Sequence, residues 1–311
     1  MKYRTLGSSG LMVSVVGLGS NNFGMRVDAE GTRAVVEAAL DAGITLIDTA
    51  DIYGGGGGSE SFIGEALKGR REEVVLATKF GGDMGGKNGP DWGARGSRRY
   101  IRIAVEASLR RLQTDWIDLY QYHFRDGVTP IEETLAALDE LVREGKIRYA
   151  GCSNVDAWHV VEAEFVARRD GLTRFISAQN HFSLLERDAE AELAPACERF
   201  GIGILPYFPL AHGLLTGKYR RGQPPPEGTR LAGRPERLTD EVFDQVEALE
   251  RYAQERGRTL LEVAIGGLAA QPAVGSVIAG ATKPEQVREN AHAGEWIPTE
   301  EDLAALDQVA P

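Results

Sequence analysis

Cysteine is scarce: the 311-residue chain has two, Cys152 and Cys197. Their spacing fits neither a metal motif nor a redox pair, which excludes a disulfide framework or zinc module and points to a reducing compartment. Basic charge is short as well. Lys and Arg number 35 against 46 Asp and Glu, a net charge of −11, which argues against nucleic acid or an anionic membrane as the main partner. An anionic small molecule stays open, because a local basic pocket can bind phosphate within an acidic protein. No apolar run approaches the ~20 residues of a membrane span, and MKYRTLGSSG at the N-terminus has no signal-like core. His159, His181, His212 and His292 lack metal-ligand spacing, so no metal is expected. A cytoplasmic protein is the expectation.

What is there is a regular alternation. YRTL and MVSV, at 3–6 and 12–15, flank Gly7–Gly10 as a β-hairpin. Apolar strands are then expected at 15–19, 44–48, 74–79, 116–123, 146–152, 175–179, 202–206 and 275–279. Helices are expected at 29–42, 59–68, 97–111, 130–144, 155–168, 189–200, 240–256, 260–270, 284–291 and 299–308. Helix 29–42 carries Ala34, Val35, Ala38, Ala39 and Ala42 on one stripe. Thr129-Pro130-Ile131-Glu132 reads as a capping box with proline at the first helical position, and Thr259 with Glu262 as another. Strands this apolar have no wet face, and eight of them in parallel close a barrel. The expected fold is therefore α/β, a (β/α)8 TIM barrel in one domain, 1–311, with an N-terminal hairpin and extra C-terminal helices. An open doubly wound sheet would carry G-x-G-x-x-G after its first strand, whereas Gly17-Leu18-Gly19 runs into Ser20-Asn21-Asn22.

The chain is organised around 44–60, ITLIDTADIYGGGGGSE. An apolar strand delivers Asp48 at its carboxyl end, and Tyr53 follows in a loop; a packing account asks for neither. Lys79 and His123 end the next two strands, and barrel active sites sit at that end. A free phenol has a pKa of ~10, and bringing it near 7 requires about 4 kcal/mol of preference for phenolate. A lysine ammonium at ~4 Å supplies about that much at an effective dielectric of 20. Burial would deprotonate the lysine, and Asp48 opposes the loss by pairing with it. His123 can donate a hydrogen bond to a carbonyl oxygen beside the phenol. These four groups form a proton-transfer site for a carbonyl, with no nucleophile, and such a site needs a hydride source.

With those residues in place, the sequence resembles an aldo-keto reductase over essentially its whole length. The resemblance rests on Asp48-Thr49-Ala50-Asp51-Ile52-Tyr53, Lys79, His123, Gly151-Cys152-Ser153-Asn154, Gln179, PYFPLAHGLLTGKY at 206–219 and GATKPEQVREN at 280–290. It implies a catalytic tetrad of Asp48, Tyr53 as general acid, Lys79 and His123. It also implies a nicotinamide dinucleotide bound in extended form without a Rossmann motif. Ser153, Asn154 and Gln179 would hold the carboxamide and Tyr207 would stack on the nicotinamide, with Gly19, Ser20, Asn21 and Asp48 alongside. Phe208, Pro209, Leu210, His212, Gly213 and Lys218 would follow the pyrophosphate. Gly280, Thr282, Lys283, Gln286, Glu289 and Asn290 would enclose the adenosine end. Phe208 stands where a serine is common, which removes that side-chain contact. Lys283 beside Thr282 suits a 2′-phosphate, so NADPH is expected ahead of NADH. Gly213-Leu214-Leu215-Thr216-Gly217-Lys218 is one residue short of a phosphate loop, and triphosphate hydrolysis is rejected.

Substrate selection is assigned to loops 22–28, 80–96, 124–128 and 207–238, with Trp92 and Phe124 as candidate substrate walls. Two rivals keep the barrel. One is a cofactor-bound regulatory subunit like the potassium-channel β subunits. The other is a lyase or isomerase acting on phosphorylated sugars.

Overall fold

In the computed structural model, which describes residues 1–310, the chain starts as an antiparallel hairpin of β1 (Tyr3–Thr5) and β2 (Met12–Ser14). Eight further strands are all parallel: β3 (Val16–Gly19), β4 (Leu46–Asp48), β5 (Val75–Phe80), β6 (Ile117–Tyr122), β7 (Ile147–Ser153), β8 (Phe175–Gln179), β9 (Gly203–Ile204) and β10 (Val277–Gly280). They follow the order β10-β3-β4-β5-β6-β7-β8-β9. The two edge strands meet through single bridges, Ile204 with Val274 and Tyr207 with Ile278. The Ile278 N–H donates to the Pro206 carbonyl at 3.0 Å, and the Gly275 N–H to that of Ile204 at 2.8 Å. The expected (β/α)8 barrel is the fold.

Ten helices complete the described residues: α1 (Ala29–Asp41), α2 (Tyr53–Ala66), α3 (Arg98–Leu112), α4 (Ile131–Arg143), α5 (Ala157–Asp170), α6 (Leu193–Phe200), α7 (Asp240–Glu255), α8 (Leu260–Ala269), α9 (Pro284–Ala293) and α10 (Glu300–Val309). On α3 the face of Ile101, Val105, Ser108, Leu109 and Leu112 is buried, and Ser97 caps its N-terminus by accepting from the Tyr100 N–H. The buried stripe of α1 is rotated from the alanine-based expectation and takes in Thr32 and Val36.

The barrel interior shows how a period of two builds a site. Leu46, Ala77, Leu119 and Ile278 point inward from β4, β5, β6 and β10, and pack with Leu205 and with Leu6 and Val13 of the hairpin. That apolar layer plugs the amino-terminal end. Two residues on, the same inward face carries Asp48, Lys79 and Gln121, because side chains on a strand alternate in direction. Register reinforces this, since Lys79 lies opposite Gln121, and Gln179 lies opposite Ser153.

Several expected boundaries shift, and each shift has a cause. The strands at 202–206 and 275–279 are shorter or displaced, at 203–204 and 277–280, because pairing across the barrel seam is reduced to isolated bridges, and the strand at 44–48 is regular only over 46–48. The helix expected at 189–200 is regular only from Leu193, after a 3-10 turn at Asp188–Glu190. Pro130 occupies the N-cap of α4 rather than its first turn, and no side chain caps it. Thr129 is unavailable for capping because its hydroxyl donates to Asp126 Oδ2 at 2.7 Å. The second box, Thr259 with Glu262, forms as expected. The glycine run is no linker: Gly54–Gly57 all have φ between 67° and 105°, a left-handed turn that leads directly into the regular part of α2.

Close approach of α2 to α3 depends on Gly64, where an added methyl would lie 2.7 Å from the Arg111 and Leu112 carbonyl oxygens. Those neighbours are backbone and cannot swing away. Gly64→Ala is expected to destabilise the fold by about 1–3 kcal/mol through overpacking, read from urea unfolding midpoints. An unchanged midpoint would show that the two helices separate freely.

Candidate active site

Three strand ends and the start of α2, where Tyr53 lies rather than in the expected loop, bring the tetrad together. Lys79 is fully buried, and its ammonium donates to Asp48 Oδ2 at 2.6 Å, to the Thr49 carbonyl at 2.8 Å and to the Tyr53 hydroxyl at 3.4 Å. An ammonium has three protons, and here it has three acceptors. The other oxygen of Asp48, Oδ1, accepts from Gln179 Nε2 at 2.8 Å and from Gln121 Nε2 at 3.1 Å. His123 follows β6, with its ring edge-on to Tyr53 at 5.9 Å between centroids.

Burial dominates the electrostatics. It acts to lower the Lys79 pKa, but the charges of Asp48 and Tyr53 and the hydrogen bonds to them outweigh it, and the pKa ends above its ordinary value. Lys79 is thus a protonated cation. The expectation that Lys79 draws the phenol toward neutrality is overturned. Burial raises the Tyr53 pKa, the pull of Lys79 is smaller, and Asp48 pushes upward as well, so the net shift is upward. At 3.4 Å from the phenol and 2.6 Å from Asp48, the ammonium commits its charge mainly to the carboxylate. Burial, with Lys79 adding repulsion, pushes His123 down to about 2. Its imidazole is therefore neutral across the working range, and Nδ1 is buried without a partner.

The segments assigned to the cofactor converge on the same barrel end. Ser153 Oγ donates to the Gln179 carbonyl at 2.8 Å, and Asn154 Oδ1 accepts from the Tyr207 hydroxyl at 2.8 Å. Gln179 has its Nε2 engaged by Asp48, which leaves Oε1 as its remaining polar atom. Ser20 is buried and its hydroxyl donates to the Asp48 carbonyl at 2.8 Å, so it braces the tetrad strand. A methyl on Gly280 would lie 3.7 Å from Asn22 Nδ2 and also on Gly19's carbonyl oxygen at 3.7 Å, which puts the β3 and β10 ends side by side. Thr282 donates through both its N–H and its hydroxyl to Gln286 Oε1. Lys218, Lys283 and Glu289 are exposed, and Asn290 is buried.

Between Tyr207 and Lys218 the backbone is unusual. Phe208, Ala211 and His212 have φ of 52°, 43° and 59°, and Gly213 has 95°. Left-handed conformations of this kind cost about 1–3 kcal/mol each in a non-glycine residue and concentrate at ligand clamps. A methyl at Gly213 would come within 2.6 Å of Lys218 Nζ, so the glycine opens room for that cation. His212 is held near about 4 by burial and by Arg230 and Arg237, and its Nε2 lies 3.0 Å from Arg237. A donor-rich strap with Lys218 and Arg230 beside an amide cluster fits an extended dinucleotide.

Two residues escaped the sequence reading. Gln121 sat inside an apolar run, and its place two residues before His123 on one strand face was the available signal. Arg230 lies in the irregular 207–238 stretch; its guanidinium covers the Phe208 ring at 5.3 Å and donates to Asn21 and Asn22. Of the proposed substrate walls, Phe124 stacks on His123 at 4.1 Å, whereas Trp92 is 77 % exposed beneath Arg99. No cluster of His, Cys, Asp or Glu among the described residues could hold a metal, and no described helix is long and apolar enough to cross a membrane.

Comparison with known proteins agrees with this geometry. Residues 15–311 match the model of the Aldo/keto reductase family. An uncharacterized oxidoreductase of Bacillus subtilis, YrpG, is 39 % identical, with 100 % of this chain and 96 % of that protein aligned. A probable voltage-gated potassium channel subunit beta of Oryza sativa is 36 % identical over 96 % of this chain and 92 % of its own. The L-glyceraldehyde 3-phosphate reductase of Escherichia coli is 34 % identical over 99 % and 92 %. The chain belongs to the aldo/keto reductase family.

Removing one member of a buried ion pair strands the other. Asp48→Asn and Lys79→Met are each expected to cost about 3–5 kcal/mol of stability, and the double variant less than their sum. Chemical denaturation of the four proteins measures this, and strict additivity would mean that the two charges do not depend on each other.

Proposed function

We propose that the chain is an NADPH-dependent carbonyl reductase in which Tyr53 is the proton donor to an aldehyde, ketone or sugar carbonyl. The observation that carries the reading is the Tyr53–Lys79–Asp48 chain, a half-buried neutral phenol beside a buried cation that is itself held by a carboxylate. A bound nicotinamide would supply the hydride to the carbonyl carbon. Tyr53 gives its proton to the carbonyl oxygen, and the phenolate left behind faces the Lys79 ammonium. Lys79 therefore acts mainly after the proton has left, when a negative oxygen replaces a neutral one. That interaction is stronger in the transition state than in the ground state, which is what accelerates a reaction. Neutral His123 carries one ring proton, and with Nδ1 enclosed, Nε2 is the atom able to donate to the same carbonyl oxygen. Asn154 and Tyr207 hold each other, and Ser153 and Gln179 present polar atoms suited to a carboxamide. Lys218, Arg230 and Lys283 supply positive charge along the phosphates, Lys283 at the 2′-phosphate.

The regulatory-subunit reading draws on the rice relative's name. A screen of NADPH oxidation over aldehydes, ketones and sugars separates the two: NADPH binding with no turnover on any carbonyl would favour the regulatory reading.

Tyr53→Phe keeps the ring and removes one oxygen. Reduction is expected to fall by ~10²–10⁴-fold with cofactor affinity little changed. Lys79→Met in addition should add little, because residues that act as a unit are non-additive. A Tyr53→Phe enzyme working at near wild-type rate would remove the phenol from the mechanism. For the cofactor, Lys283→Ala is expected to weaken NADPH far more than NADH, and Arg230→Ala to weaken both, measured by nicotinamide fluorescence titration. Equal losses for the two cofactors in Lys283→Ala would sink its assignment to the 2′-phosphate.

A further inference from the structure

Behind the loop that carries Tyr53 lies a second buried set of polar groups. Asp51, two residues ahead of the phenol, is fully buried; its Oδ2 accepts from Asn88 Nδ2 at 3.2 Å and its Oδ1 has no partner. Asn88 comes from the loop between β5 and α3. Its own Oδ1 accepts from Arg111 at 2.9 Å, which turns its amino group toward Asp51. Arg111 Nε donates to Glu60 at 2.6 Å, and the other Glu60 oxygen accepts from Thr78 Oγ1 at 2.6 Å. Glu60 is fully buried too. Two buried carboxyl groups thus have one guanidinium between them, and the geometry gives it to Glu60. Asp51 is left with a neutral amide, and an uncompensated buried carboxylate is costly enough that protonation is the cheaper state.

We propose that Asp51 is a positioning residue for Tyr53: a carboxylic acid, held neutral by its place between Asn88 and the Glu60–Arg111 pair, whose loss of a proton makes the phenol a weaker donor. The inference rests on Tyr53 being the proton donor. Burial, then the charge of Glu60, raise the Asp51 carboxyl to about 8, against smaller opposing effects of Arg111, the Ile52 N–H and Asn88. The titratable groups facing it are Tyr53 and Glu60 on α2, Arg111 and Tyr100 on α3, and Tyr120 on β6, whose hydroxyl is buried and unpartnered. A negative charge on Asp51 acts directly on Tyr53 and opposes phenolate formation. Tyr53 itself titrates above its ordinary value, so a loss of rate near pH 8 belongs to Asp51 and not to the phenol.

Asp51→Asn keeps the shape and an acceptor for Asn88 but cannot ionise. The test is the pH profile of NADPH-dependent 4-nitrobenzaldehyde reduction, with infrared titration of the protonated carboxylic acid band in protein without cofactor. Wild-type kcat is expected to fall with a midpoint near pH 8, by roughly tenfold, the effect of moving the donor's pKa by one unit. In Asp51→Asn that limb should vanish. In Asn88→Leu it should move to higher pH, because a donor favouring the ionised form is gone. The infrared band should titrate near pH 8 in the wild type and be missing in Asp51→Asn, so the assignment survives even a variant that folds poorly. The raised carboxyl also means that stability falls as pH rises from about 4 to 8, since the unfolded chain has already released this proton. Asp51→Asn should therefore gain on the wild type across that window. An inactive Tyr53→Phe combined with an unchanged alkaline limb in Asp51→Asn would overturn this inference alone. A fully active Tyr53→Phe would overturn the donor reading and this inference together. The lack of any acid band titrating between pH 7 and 9 would also overturn it.

Discussion

A fully buried ammonium is the constraint from which the rest of the barrel mouth follows. Lys79 stands on a layer of Leu46, Ala77, Leu119 and Ile278 that keeps water out from below. With no solvent to share its charge, each of its protons needs a fixed acceptor, and Asp48, Thr49 and Tyr53 provide them at 2.6, 2.8 and 3.4 Å. Asp48 in turn needs its second oxygen satisfied, and Gln121 and Gln179 do so from β6 and β8. One cation on β5 thus fixes groups on three other strands. The longest of its three contacts is the one to the phenol. On the proposed reading, that is where the arrangement has slack to tighten when the phenol loses its proton.

This coupling explains which parts of the site could be read from the sequence. Asp48, Lys79 and His123 are legible because each interrupts an apolar run at a strand end, where packing alone would have placed another aliphatic residue. Gln121 occupies the same inward face, yet it is flanked by Tyr120 and Tyr122 within a strand, and one inward glutamine is a weak signal without a partner in view. The acidity of Tyr53 was legible only in part. A pairwise estimate between ammonium and phenol predicts a lowered pKa, but burial outweighs the pull of Lys79 and the charge of Asp48 adds to the rise. The fold was the easier part, since eight apolar strands alternating with amphipathic helices leave few architectures. Seam closure between β9 and β10 was less so, because isolated bridges carry no local sequence pattern.

Strain marks the segment from Tyr207 to Lys218, the proposed cofactor strap, independently of any motif. Phe208, Ala211 and His212 are forced into left-handed conformations that a free loop would avoid. The aromatic contacts around them show what holds the strap. Tyr207 stacks on His181 at 5.5 Å with rings nearly parallel, and Phe208 packs on His212 at 4.4 Å beneath Arg230. The far face of this cluster is therefore built before any ligand arrives. Preorganised sites avoid part of the ordering cost of binding, which is the physical return on the strain.

Asp48 and Asp51 sit three residues apart where β4 leads into α2 and carry the same functional group, yet the structure gives them opposite surroundings. Asp48 points into the barrel and meets a cation. Asp51 turns behind the barrel wall, where the cation that acts on it, Arg111, already belongs to Glu60, and meets an amide. The difference lies in the partners and not in the residue. Those partners come from β5, α3 and the β5–α3 loop, far along the chain, so nothing local to DTADIY distinguishes the two acids. On the proposed reading both bear on Tyr53, one through Lys79 and one through its own charge state, so that the phenol's readiness to give up a proton is set from both sides of the barrel wall.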